Sequence, residues 1–331
     1  MSEAIPHPRE TFEWLGGPGP EAAVVSALDQ GRMHHAWLLH GPRGVGKATF
    51  AYRAARRLLG AKPAPELGLL GSDPAHPVCQ QVVARAHTDL LVLQRDSEDG
   101  KARRNILVGE ARDLPEFFSL TAASAPYRVA IVDAVDDLNI SAANALLKTL
   151  EEPPERGVLL LVCHSPGSLL PTIRSRCRRL RIEAADPVIA EPWLRQRAGV
   201  DANDASRLLD MARGAPGGAW RLAQEGALEA DDAAAGVLAG LPGLEEKAVQ
   251  ALADSFRPPL GPQRFRLFFE RLADRARAAA CEHAARGEAA AADAWSRAWT
   301  DILDLARRTE SVNLDRSDAL FTTIARLRAI A

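Results

Sequence analysis

The chain has 331 residues, is 47% hydrophobic and 25% charged, and carries a formal charge of −2. That is enough chain for two or three packed domains, and near-neutrality excludes a protein that coats nucleic acid by bulk charge, although not a local basic patch. No run of about 18 apolar residues occurs and the N-terminus has no apolar signal core, so no membrane partner is expected and the expected location is the cytoplasm.

From about 20 to 183, apolar strand-like runs alternate with helical patterns. Strands are expected near 36–39, 90–93, 129–132, 158–163 and 180–182, and helices near 48–59, 109–120 and 141–151. This alternation predicts an α/β fold with a parallel sheet covered on both faces. The stretch 61–77 is rich in Pro and Gly and reads as a loop, and 96–104 as a charged surface turn.

Between the first strand and helix lies Gly41-Pro42-Arg43-Gly44-Val45-Gly46-Lys47-Ala48. A phosphate-binding loop needs glycines so that backbone N–H groups can surround phosphate oxygens, a lysine for the outer phosphates, and a hydroxyl to ligate magnesium. Here the glycines and Lys47 are kept, but Ala48 replaces the hydroxyl. Thr49 is no substitute, because one helical residue is about 100° of rotation. The strand 129–132 ends in Asp133, in the place of a magnesium-holding acid, but the next residue is Ala134, where an acid would activate the attacking water. Two defects in two motifs predict a nucleotide fold that has lost hydrolysis. Asp136 and Asp137 read as solvated acids near a helix start.

Ile140, Ala143, Leu146, Leu147 and Leu150 form an apolar stripe on a helix that must stop before Pro153. Arg174, Arg176, Arg178, Arg179 and Arg181 crowd the connector into the last strand. After Pro187 the strands cease. Short helical patterns at 190–197, 204–211 and 218–224 predict a small helical module, and a Gly-Ala-Asp stretch follows at 226–236. Beyond Val237 the chain is alanine-rich, with Phe265, Leu267, Phe268, Leu272 and then Leu320, Phe321, Ile324, Leu327 at helical spacing, the core faces of a bundle. The four cysteines, 79, 163, 177 and 281, form no C-x-x-C pair, so neither disulfides nor zinc are expected.

Taken together, Asn144-Ala145-Leu146-Leu147-Lys148-Thr149-Leu150-Glu151-Glu152-Pro153-Pro154 and the triplet Ser175-Arg176-Cys177 resemble the clamp-loader branch of the AAA+ ATPases. The His34-His35-Ala36-Trp37-Leu38-Leu39 entry to the loop is similar as well. The specific motifs lie within 34–183, and the likeness extends more loosely to the end. It implies an AAA+ P-loop core over 1–185, a small helical lid over 186–230, and an all-α collar over 231–331 that joins subunits into a ring. It implies that Arg176, within the Ser175–Cys177 triplet, is an arginine finger reaching ATP on a neighbouring motor subunit. Gly41, Gly44, Gly46, Lys47 and Asp133 would be a degenerate nucleotide site, with no cofactor required and weak ATP or ADP binding left open by Lys47. The implied partners are motor subunits, a clamp-opening subunit, the sliding clamp, and primed DNA held by the assembly, with backbone contacts from the helix start at 141–148. The rival readings are a self-sufficient ATPase motor and a pure ring scaffold. Members of the branch often carry a four-cysteine zinc module before the second strand, whereas 60–90 contains only Cys79. Active members place a lid arginine where this chain has Gly217, and Arg221 lies a turn later.

Overall fold

In the computed structural model, residues 5–95, 97–98, 101–102, 108–257 and 259–330 are described. They divide into two compact units, 1–220 and 221–331. In the first unit α1 (Pro18–Asp29) leads into β1 (Ala36–His40), α2 (Lys47–Leu58), α3 (Pro77–Val83) and β2 (Leu90–Gln94). The charged turn expected at 96–104 lies outside the described residues, apart from the short antiparallel pair β3 (Ser97–Glu98) and β4 (Lys101–Ala102). Then come α4 (Val108–Ser119), β5 (Arg128–Asp133), α5 (Ile140–Glu151), β6 (Gly157–Cys163), α6 (Pro171–Arg176) and β7 (Arg178–Arg181).

The five main strands form one parallel sheet in the order β2-β5-β6-β1-β7. Alternate residues along each strand face opposite layers, as strand geometry requires. Trp37, Leu39, Val129, Ile131, Leu160 and Val162 pack on Phe50, Ala54 and Leu58 of α2, all buried. Leu38, Ala130, Val132, Leu159 and Leu161 pack on Leu114, Leu146, Leu150 and Ile173 from α4, α5 and α6. The C-terminal ends of the strands bring Gln94 beside Asp133, Asp133 beside Val162, and His40 between Cys163 and Arg181. In open parallel sheets this edge is where ligands bind.

The expected strands and helices of the sheet all form, with one shift. The last strand runs over Arg178–Arg181 rather than 180–182. It is an edge strand paired only with β1, so arginine side chains can leave the sheet while their backbones pair. The expected loop 61–77 is held by an isolated bridge between Pro63 and Ser72. Ile140 is not part of the apolar face of α5: it is the first residue of the helix and 83% exposed.

The small helical module consists of α7 (Pro187–Ala198), α8 (Ala202–Met211) and α9 (Pro216–Glu225). The two compact units meet at 220 and 221, within α9, so α7 and α8 lie with the sheet. The expected collar start, 231, falls inside α10 (Ala227–Gly240), which also turns the Gly-Ala-Asp stretch into helix. The second unit continues with α11 (Glu246–Ser255), α12 (Gly261–Ala285), α13 (Ala289–Ser311) and α14 (Arg316–Arg328). Its core holds Phe265, Phe268, Phe269, Leu272, Leu320, Ile324 and Leu327. Phe321 is outside it and 42% exposed. Residues 320, 324 and 327 share a helical face, and 321 is about 100° around from 320.

Candidate functional site: a closed phosphate loop and an exposed arginine

The loop between β1 and α2 has the backbone that phosphate binding demands. Gly44 and Gly46 have φ of +82° and +92°, a region that residues with a Cβ rarely adopt. The loop's interactions, however, are directed inward. Lys47 Nζ donates to the carbonyls of Gly41 at 2.7 Å and Pro42 at 2.6 Å. Burial pulls the lysine down to about 8, the carboxylates of Asp133 and Asp136 resisting only in part. The small helical module closes over the loop: Gly217 N donates to Gly44 O at 3.0 Å. A Cβ on Gly44 would lie 2.3 Å from Gly218 N, so the two backbones are in direct contact. On another side, the Trp14 ring lies 3.2 Å from where a Cβ of Gly46 would stand, and 5.4 Å from the Phe50 ring centroid.

Asp133 ends β5 as expected, and burial raises its carboxyl group against the pull of Lys47. It lines a polar cleft of about 560 Å³ with His7, Arg85, Gln94, Arg95, Asp137 and His164. His164 is driven down to about 4, first by burial and then by Lys47 and Arg43, so it is neutral at pH 7. The reading of Asp136 and Asp137 as solvated acids is overturned. Asp136 accepts from His164 N at 2.6 Å and Ser165 N at 2.9 Å, and so clasps the end of β6. It also raises the Cys163 thiol, by repulsion added to burial, to about 12. Asp137 pairs with Arg95 at 2.7 Å. Magnesium chemistry does not fit these residues: Ala48 and Ala134 offer no oxygen side chain, and Asp136 is committed to backbone amides.

The Ser175-Arg176-Cys177 triplet lies where α6 turns into β7. Ser175 Oγ donates to Thr172 O at 3.1 Å within its own helix. Cys177 packs against the core beneath α5, and burial pushes its thiol up to about 11. Arg176 alone presents a charged group, 36% exposed, with Thr172 O at 3.1 Å and Glu151 Oε1 at 3.0 Å. The Asp136 clasp, the Gly217 contact and the Glu151 pair were not legible from motif spacing. The signal for Glu151 was present, since two acids at a helix C-terminus oppose the helix dipole.

A parallel sheet of this order with a phosphate loop after its β1 strand, followed by three short helices of which α9 meets that loop through Gly217 and Gly218, is an AAA+ nucleotide fold. Within it, the sequence profile described as DNA polymerase III, delta subunit, matches residues 20–186, and the chain belongs to this family. The DNA polymerase III subunit delta' of Pseudomonas aeruginosa is 34% identical over 230 residues, which cover 69% of this chain and 64% of the relative. The delta' subunit of Haemophilus influenzae is 31% identical over 210 residues, 62% of this chain and 60% of its own length. The chain thus spans less than two thirds of these relatives. The tau subunit of Bacillus subtilis is 34% identical over 158 residues, 47% of this chain and 26% of tau. A solved gamma subunit-related protein of Thermotoga maritima aligns with 92% of this chain and 98% of its own at 16% identity and a TM-score of 0.48.

Proposed function

We propose that this chain is a non-hydrolysing ring subunit of a DNA polymerase III clamp loader. In that role it supplies Arg176 in trans to ATP on a neighbouring motor subunit and helps to load the sliding clamp onto primed DNA. The observation that carries this reading is a contrast within one chain. The chain's own phosphate loop is filled by Lys47 and Gly217, and it lacks both magnesium-side groups. Its arginine, by contrast, is intact and exposed at the end of α6. Arginine suits a finger because it is always charged and forks onto phosphate oxygens. In other nucleotide systems such a group is worth about 10³–10⁵ in rate. No nucleotide is needed in this chain's own loop for that role, and any ATP or ADP bound there binds weakly, against the Lys47 and Gly217 contacts.

The test is ATP hydrolysis by the reconstituted loader, stimulated by clamp and primed DNA, with the wild-type chain and with Arg176→Ala. Gel filtration checks assembly in each case. Normal assembly with collapsed turnover supports the finger, and normal assembly with unchanged turnover leaves only a scaffold. Likeness to tau subunits gives the motor reading its one supporting observation. Magnesium-dependent hydrolysis by the purified chain alone would establish that reading instead.

A further inference from the structure

Arg176 has a partner whose position in the fold is unusual. Glu151 is the last residue of α5 and Glu152 is its C-cap, with Lys148 the one basic residue in the last turn. Carboxylates at a helix C-terminus meet the negative end of the helix dipole and are unfavourable there. Where a local preference is broken, a compensating contact or a function is expected. Here the compensation is the Arg176 guanidinium, 3.0 Å from Glu151 Oε1. The same guanidinium donates to Thr172 O, in the first turn of its own short helix. The two contacts bracket the group from α5 and from α6. Of its five N–H donors, at least three remain for a third party. Burial of the pair is partial, at 36% exposure for Arg176 and 52% for Glu151, so the contact orients the side chain without sealing it in.

We infer that Glu151 is the positioning residue for Arg176. This rests on the trans-finger reading above. A long arginine side chain on a six-residue helix has many rotamers, and a finger is effective only in those that reach the phosphate. The carboxylate narrows that set: Nη2 meets Glu151 and Nη1 meets Thr172 O, and each of these nitrogens keeps a second N–H beside the Nε–H. Because Glu151 sits on α5, which begins just after the Asp136 clasp, the finger is set by a rigid helix rather than by a loop.

The experiment measures clamp- and DNA-stimulated ATP turnover of the loader with Glu151→Ala, Glu151→Gln, Arg176→Ala and the Glu151→Ala/Arg176→Ala double variant. Glu151→Ala should lower kcat about two- to fivefold, the range that one exposed ion pair can supply, with Glu151→Gln losing less because its amide oxygen still accepts. The double variant should be no slower than Arg176→Ala alone. Removing an acid from a helix C-terminus favours α5, so the melting temperature should hold or rise and misfolding is excluded as the cause. If Arg176→Ala collapses turnover while Glu151→Ala leaves it unchanged or raises it, the positioning role is wrong and the finger stands. If Glu151→Ala slows the Arg176→Ala loader as much as the wild type, Glu151 acts through α5 and not through the arginine. If Arg176→Ala changes nothing, the finger reading falls, and the positioning role falls with it.

Discussion

Glu21 and Arg53 form an ion pair in which both side chains are only 2% exposed. Arg53 donates to Glu21 Oε1 from Nε at 3.1 Å and from a terminal nitrogen at 2.6 Å, and also to the carbonyls of Phe12 and Leu67. Glu21 accepts in addition from Leu69 N at 3.0 Å and Leu70 N at 3.3 Å. This hub ties α1, α2, the N-terminal segment that carries Trp14, and the 65–70 loop into one unit beside the phosphate loop. Glu21→Gln leaves the guanidinium charge buried and uncompensated, and it turns an amide NH2 toward a backbone donor, Leu69 N if it takes the place of Oε2 and Leu70 N if it takes the place of Oε1. Breaking one side of a buried pair costs about 3–5 kcal/mol. Arg53→Met should cost a similar amount, because it strands the carboxylate. The Glu21→Met/Arg53→Met double variant should be at least about 2 kcal/mol better than the sum of the single changes, since no unpaired charge remains. Urea unfolding, followed through the fluorescence change as buried Trp37 is exposed, measures all three. A loss below about 1 kcal/mol for Glu21→Gln, or strict additivity, would refute the hub.

Other expectations follow from the closed loop. Lys47 is depressed from 10.5 to about 8 in the fold, so the unfolded chain holds the extra proton between these values. Wild-type stability should therefore rise relative to Lys47→Met by about 3 kcal/mol as pH increases from 8 to 10.5, and the difference should be flat below pH 8. A pH series of denaturant midpoints tests this, and a difference that falls with pH would contradict it. Gly44→Ala places a Cβ against Gly218 at a φ of +82°, so it should cost about 1–3 kcal/mol and expose the Gly217 amide to hydrogen exchange. Unchanged protection of that amide would show that the lid does not rest on the loop. Asp136→Ala orphans the His164 and Ser165 amides and should cost about 2–3 kcal/mol, with Asp136→Asn losing less because its oxygen still accepts. Equal loss in both variants, read by thermal melting, would mean that the carboxylate's charge alone matters.

The sheet was legible because buried parallel strands are continuous apolar runs, as in 129–132 and 158–163, and because the glycine loop fixes which strand precedes it. β7 was misplaced by two residues because its pairing backbone carries arginines, which hide an edge strand from any hydrophobic pattern. α10 was missed because alanine, glycine and aspartate over 226–236 show no apolar stripe, and packing on α12 makes it a helix. At the site, the residues that are missing could be read from sequence, but the ones that replaced them could not. Asp136 looked solvated because nothing in the sequence says that the end of β6 presents two free amides to it. Gly217 looked like a lost arginine, and its other role depends on a contact between backbones some 170 residues apart in the chain, which leaves no side-chain signature.

The bond from Gly217 N to Gly44 O has a consequence for symmetry. A lid held by the loop's own backbone takes its angle from the fold and not from a ligand. In the ring proposed above, such a unit would give one facet of constant shape while ligands come and go on the other members. That ring would be unequal by construction, through a contact between two glycines of one subunit.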